Sequence, residues 1–229
     1  MSSMLTLGQE KLIRLLATNQ GRAKTGLCLV EGEKNIKEAK KFLDFTFTPA
    51  DTKKFKQLVS TVTPQAIAGV ARIPQWTEKD IMTKNTIVAL DNVQDPGNVG
   101  TILRLCLGFE TSLVLADSVD PANPKIIRAS AGAFFKVPWL KLKSSEAVDF
   151  ITKLKRPVFR LENKAKALVC SPDNIKNLPA KMVLLVGSEG QGIKLKLLGQ
   201  SLAIKHHKDL ESLNVAMALA IFLSQKYLN

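Results

Sequence analysis

Five apolar runs, at residues 86–91, 112–116, 157–161, 182–187 and 201–205, show no polar alternation, and helix-like segments separate most of them. A strand apolar on both faces is buried on both. Such strands alternating with helices build a mainly parallel sheet covered on either side. The fold class this predicts is α/β. Helices are expected at 98–109, 124–135, 145–154 and 213–228, the last with Leu213, Ala216, Ala220, Leu223 and Tyr227 in one stripe.

The chain ahead of this pattern reads as a smaller, basic α/β module. A helical stripe covers 5–17 and a polar, basic loop covers 19–26. Strands are expected at 27–30, 43–47 and 66–71, and helices at 35–42 and 50–59, the second with Thr48 as N-cap and Pro49 in the first helical position. Residues 74–85 mix a proline, charges and a lone Trp76, and read as a linker. The domains expected are therefore 1–80 and 81–229, with the boundary near residue 80.

Charge narrows the partners. With 33 Lys and Arg against 20 Asp and Glu, the net charge is +13, which attracts polyanions through phosphate neutralisation. Only seven of the basic residues are arginines, a balance suited to point-charge phosphate contacts more than to bidentate base reading. Aromatics make up 6%, too few for a surface that reads single strands by stacking. No apolar run reaches 18 residues, so no membrane helix is expected. The start, Met1-Ser2-Ser3-Met4-Leu5-Thr6, lacks the pattern of a secretory signal. Cys28, Cys106 and Cys170 are odd in number and far apart; they form no disulfide framework or metal spacing, and a cytoplasmic, reducing location is expected.

Chemistry concentrates where strands hand over to helices. Asp95-Pro96-Gly97-Asn98-Val99-Gly100-Thr101-Ile102-Leu103-Arg104 follows the run 87–90 and the polar pair Asp91-Asn92. A parallel sheet binds ligands at such junctions, outside the carboxyl ends of its strands. The glycine spacing is not that of a dinucleotide fingerprint, and the ending of a Walker loop is missing, so a nucleotide-binding oxidoreductase is disfavoured. Gly187-Ser188-Glu189-Gly190-Gln191-Gly192 follows another buried run, and its three glycines imply positive φ angles or close packing against a ligand. Glu189 there can accept from a ribose hydroxyl, or cap a short helix expected at 193–198. Ser212-Leu213-Asn214 precedes the final helix, with Ser212 a candidate N-cap. Asn98, Arg104, Glu189, Ser212 and Asn214 together look like one assembled site. Taken alone, Arg104 could instead form a surface salt bridge.

These segments resemble the SpoU (TrmH-type) RNA 2′-O-ribose methyltransferases of the SPOUT superfamily. The first family motif resembles residues 92–104, the second 185–192, and the third Ile204 followed by Glu211-Ser212-Leu213-Asn214-Val215-Ala216; residues 124–133 are also similar. The resemblance covers 86–229. Glu31-Gly32-Glu33 and Thr63-Pro64-Gln65 resemble the family's small substrate-binding module, shortened here after Phe42. The resemblance implies a sheet with a C-terminal trefoil knot, S-adenosylmethionine held by Gly187, Ile204 and Leu213, catalysis by Asn98, Arg104, Glu189, Ser212 and Asn214, and a homodimer acting on ribosomal or transfer RNA. No metal is implied. Where the family carries Pro and Met after the third motif's Ile and Gly two residues further on, this chain has Lys205, His206 and Lys208. The adjacent His206-His207 pair is read as part of a basic, RNA-facing loop.

The family's favoured base for the 2′-hydroxyl is the arginine, a side chain that holds its proton too tightly to be a good base. The alternative is that Arg104 stays charged, holds a phosphate and stabilises the developing alkoxide. Two other functions compete with ribose methylation. One is an RNA-binding protein that retains the fold without catalysis; the other is a methyltransferase acting on a base.

Overall fold

The computed structural model describes residues 4–61, 63 and 65–228; Met1, Ser2, Ser3, Val62, Pro64 and Asn229 lie outside them. The chain forms two compact units, Met1–Gln75 with Asp120–Lys136, and Trp76–Val119 with Val137–Asn229. It therefore crosses between them at 75–76, 119–120 and 136–137, where the sequence suggests one boundary near residue 80.

In the first unit, α1 (Leu7–Leu16) opens on a Thr6–Gln9 capping box and buries Ile13 and Leu16. The expected loop at 19–26 is instead α2 (Asn19–Thr25). Thr18 accepts the Gly21 N–H at 3.0 Å, and Gly26 closes the helix at φ 68°; caps at both ends fix a helix that has no apolar stripe. After β1 (Leu27–Glu31) come α3 (Glu33–Glu38) and β2 (Leu43–Phe47). The helix expected at 50–59 shrinks to α4 (Phe55–Leu58). Thr48 caps a turn here: its N–H and hydroxyl donate to Asp51 at 2.7 and 2.8 Å. β3 (Ala68–Arg72) lies between β1 and β2 and runs antiparallel to both. Ile13, Leu16, Leu29, Phe47, Phe55 and Val70 pack over this small sheet.

The second unit begins with α5 (Glu78–Met82), capped by Thr77 and Asp80, so part of the expected linker is helical. Then follow β4 (Thr86–Asp91), α6 (Pro96–Gly108) and β5 (Ser112–Ala116). The chain next contributes α7 (Pro124–Ala129) and a 3₁₀ turn (Ala133–Phe135) to the first unit. One helix was expected over 124–135; positive φ at Ala131 and Gly132 breaks it. An added Cβ at Gly132 would lie 2.4 Å from the Glu38 side chain, so glycine is required. The second unit resumes with β6 (Trp139–Leu142), α8 (Ser144–Lys153), β7 (Val158–Leu161), β8 (Leu168–Val169) and α9 (Pro172–Lys176). It ends with β9 (Met182–Gly187), β10 (Gln200–Ala203) and α10 (Val215–Tyr227).

Seven strands form one sheet in the order β6-β5-β4-β9-β7-β10-β8, and every pairing is parallel. The five apolar runs map onto β4, β5, β7, β9 and β10. The two strands without such a run, β6 and β8, are the edges. Their short, half-exposed sequences carry a weaker apolar signal. β4, β5 and the first five residues of β9 are buried throughout, the pattern of strands covered on both faces.

Candidate active site

β4 and β9 are parallel neighbours in register, with Asp91 opposite Gly187, so the chain leaves both strands at the same end of the sheet. After β4, Asp95 becomes the N-cap of α6: its carboxylate accepts the Asn98 N–H at 2.7 Å, with Pro96 at the first helical position. The cap and proline start the helix two residues earlier than expected and hold Asn98 in its first turn.

After β9, residues 188–192 fold into a tight turn in which the Gly192 N–H donates to the Ser188 carbonyl at 2.9 Å. Gly192 has φ 63°. Gly187 is needed for another reason: an added Cβ would lie 2.2 Å from the Gly192 carbonyl. Its close approach is therefore to the loop's own backbone. No helix forms at 193–198. Ile193, Leu195 and Leu197 face inwards while Lys194, Lys196 and Leu198 are exposed, an alternation that favours extended chain.

Two side chains replace the hydrogen bonds a helix would have supplied there. The Asp91 carboxylate, 2% exposed, accepts the Lys194 N–H, and that of Leu195 at 2.6 Å. Arg160 donates to the carbonyls of Ile193, Leu195 and Leu197 at 3.2, 3.2 and 3.0 Å. A buried carboxylate thus takes the N–H groups of this segment and a guanidinium takes its carbonyls, as buried backbone requires. Glu162 balances Arg160 at 3.0 Å and also accepts from Ser201 at 2.6 Å and Lys164 at 3.0 Å. Burial pushes the Glu162 carboxyl up, but these three donors outweigh it and hold it below the usual carboxylate range. Sequence reasoning missed Asp91, Arg160 and Glu162; the available signal was a lone charge at the end of an otherwise apolar strand.

The three turns meet. Glu189 Oε1 accepts from Asn98 Nδ2 at 3.2 Å, from Asn214 Nδ2 at 2.8 Å and from the Val215 N–H at 3.4 Å. Asn214 Nδ2 also donates to Asn98 Oδ1 at 2.9 Å. The N-cap of α10 is Asn214, not Ser212: its Oδ1 accepts the Ala216 and Met217 N–H groups at 3.0 and 3.2 Å. Glu189, expected as a possible cap for a helix at 193–198, lies instead against the N-terminus of α10, where the helix dipole favours negative charge. Among the described residues all of its bonds use Oε1, which leaves Oε2 for a donor from outside.

Beside this trio lies a cavity of about 400 Å³ whose lining includes Gly187, Ile204 and Leu213, together with Glu189, Ser212 and His206. Its size falls within the range of small-molecule sites. Ser188 Oγ is buried in its wall without a hydrogen-bond partner among the described residues. Ser212 is exposed and lines the cavity. His206 Nδ1 lies 2.8 Å from the Ile204 carbonyl oxygen, and His207 pairs with Asp209 at 3.5 Å. Arg104 stands apart from the trio. It is exposed on α6 and makes no ion pair or hydrogen bond among the described residues, so the salt-bridge reading does not hold. Six residues beyond Asn98 on a helix, it points about a third of a turn away.

Burial raises the thiols of all three cysteines, that of Cys106 to about 12 and that of Cys170 to about 11. They are protonated near neutrality and are not nucleophiles. No helix among the described residues is long and apolar enough to cross a membrane.

A parallel α/β sheet with a carboxylate–amide trio and a ligand-sized cavity at the ends of its strands defines a protein built to hold a small organic molecule beside a polar cluster. Residues 85–224 match the SpoU rRNA Methylase family, and the chain belongs to that family. It is 30% identical to the 23S rRNA (guanosine(2553)-2′-O)-methyltransferase RlmP of Bacillus subtilis (strain 168), over 91% of each chain. A TrmH-family structure from Porphyromonas gingivalis superposes with a TM-score of 0.80 and 27% identity over 98% of each chain. An rRNA methyltransferase from Sinorhizobium meliloti, solved with S-adenosylmethionine bound, shares the fold at a TM-score of 0.83 and 24% identity, over 98% of this chain and 95% of that one.

Proposed function

We propose that this protein transfers a methyl group from S-adenosylmethionine to a ribose 2′-hydroxyl in structured RNA, ribosomal RNA foremost. The observation that carries this reading is the Asn98–Glu189–Asn214 trio, hydrogen-bonded beside the cavity that Gly187, Ile204 and Leu213 line. The family and the Bacillus relative of matching length support it.

The cavity fits the cofactor: Val186, Leu202 and Val215 give it apolar walls, while Ser188 Oγ offers a polar group without a protein partner. Gly187, Ile204 and Leu213 would hold S-adenosylmethionine, which when bound supplies an electrophilic methyl group on a sulfonium. What remains for the chain is orientation and the handling of one proton. Asn98 and Asn214 fix the rotamer of Glu189, whose Oε2 accepts from a ribose hydroxyl. Ser212 positions the same sugar. Arg104 holds a neighbouring phosphate and stabilises the alkoxide that develops as the 2′-hydroxyl proton passes to Glu189 Oε2.

Arg104 reaches the site from a second copy of the chain. Its direction on α6 supports this, as do the exposed apolar side chains nearby: Leu107, three residues further along α6, and Met217 and Ile221 on α10, which packs against α6. A homodimer covers that flank. The basic first unit binds RNA, the C-terminal segment threads the family's knot, and three buried free cysteines fit a cytoplasmic location.

Arg104→Ala tests the assignment. Methyl transfer should fall about 100-fold or more, while the affinity for S-adenosylmethionine, read by calorimetry, stays close to the parent value. Cofactor affinity lost in step with activity would contradict the role.

A further inference from the structure

We propose that His206 sets the preference of the cavity between S-adenosylmethionine and its demethylated product, S-adenosylhomocysteine, and does so in a pH-dependent way. This rests on the methyltransferase reading above.

His206 is half-buried and lines the cavity with Gly187, Ile204 and Leu213. Its Nδ1 lies 2.8 Å from the Ile204 carbonyl oxygen. A carbonyl only accepts, so Nδ1 must carry the proton, and the neutral ring keeps its lone pair on Nε2. Protonation therefore takes place at Nε2 and adds a positive charge to the wall of the cavity.

Among the described residues no carboxylate forms an ion pair with His206. Glu162, at the end of β7, is engaged by Arg160, Lys164 and Ser201. Glu189 lines the cavity as well, hydrogen-bonded through Oε1 to the neutral amides of Asn98 and Asn214, and Asp209 pairs with His207. Glu211, from the same loop, lines the cavity and makes no ion pair among the described residues. Three lysines are also near: Lys164 lines the cavity, and Lys205 and Lys208 lie close to His206 in the chain.

The two ligands differ by one methyl group and one charge: the donor carries a sulfonium, the product a neutral thioether. A second cation in a confined cavity opposes the sulfonium and has much less effect on the thioether. With His206 neutral the cavity accepts the donor; with His206 charged it favours the product. In the family's pattern a methionine, which does not titrate, stands at this position, so the dependence belongs to this chain.

Calorimetry of the full chain with each ligand from pH 8 to pH 5.5, the range in which histidines change charge, tests the proposal. The ratio of the donor's dissociation constant to the product's should rise about 5-fold or more on acidification, the scale of one unit charge at several ångströms in a screened site. In His206→Met and His206→Gln the ratio should be flat. Nitrogen NMR of the imidazole should show the Nδ1–H tautomer at pH 8 and a change at Nε2 on adding S-adenosylmethionine. A flat ratio in the parent protein, or the same slope in either variant, would overturn the role of His206 while leaving the methyltransferase reading intact. Failure of both ligands to bind at any pH would overturn that reading and this inference together.

Discussion

Glu189 is the residue on which the site turns, because one of its oxygens joins all three loops. Glu189→Gln can keep the Oε1 bonds to both asparagines but puts an NH2 donor where Oε2 would accept from the ribose hydroxyl. Methyl transfer should drop by about 100-fold while binding of S-adenosylmethionine changes little, as paired activity and calorimetry measurements can show. Glu162 supports a prediction about pH. Its folded-state pKa lies below the ordinary carboxylate value, so its stabilisation is fully present above about pH 4.3 and is lost as pH falls through the folded value. The melting-temperature gap between the parent and Glu162→Gln should therefore stay wide from neutrality to about pH 4.3 and narrow below it; a gap that widens on acidification would contradict this. At this scale the asparagines and Glu189 were readable in the sequence, because polar residues in glycine-rich turns after buried strands have few structural uses. Asp91 was not. Nothing local to it indicates that its carboxylate receives N–H groups about a hundred residues later.

The segment between β9 and β10 explains why one helix expected from sequence is absent. Its apolar residues recur every second position, and its backbone partners come from Asp91 and Arg160, side chains distant in sequence. A helix needs only its own backbone; an extended segment at this place needs those two residues. Asp91→Ala should leave the buried Leu195 N–H and the part-buried Lys194 N–H unpaired and destabilise the protein by about 2–6 kcal/mol, at 1–3 kcal/mol per group, as urea unfolding would report. Gly187→Ala should be as harmful locally, since its Cβ would sit 2.2 Å from the Gly192 carbonyl. The turn must move, and cofactor affinity should fall more than about tenfold, because overpacking displaces backbone as well as side chains. Elements with strong local signals, the apolar strands and the capped α6, were legible. α2 and α5 were not, because caps define them in the absence of an apolar stripe. β6 and β8 were not, because an edge strand of two to four residues has too little pattern to detect.

At the scale of the molecule, the sheet places two of the three polar turns side by side through the β4–β9 pairing and leaves an apolar flank on α6 and α10 exposed. If that flank closes a dimer, Ile221→Asp should shift the chain to monomer in sedimentation equilibrium and reduce methyl transfer with it. A monomeric but fully active variant would show that Arg104 serves its own chain. The measurement that bears most directly on the central claim is mass spectrometry of nucleosides from ribosomal RNA incubated with this protein and S-adenosylmethionine. A 2′-O-methylated nucleoside, formed by the parent protein and absent with Glu189→Gln, is the predicted result. A methyl group found on a base, or no methylated product from a protein that binds both cofactor and RNA, would contradict it.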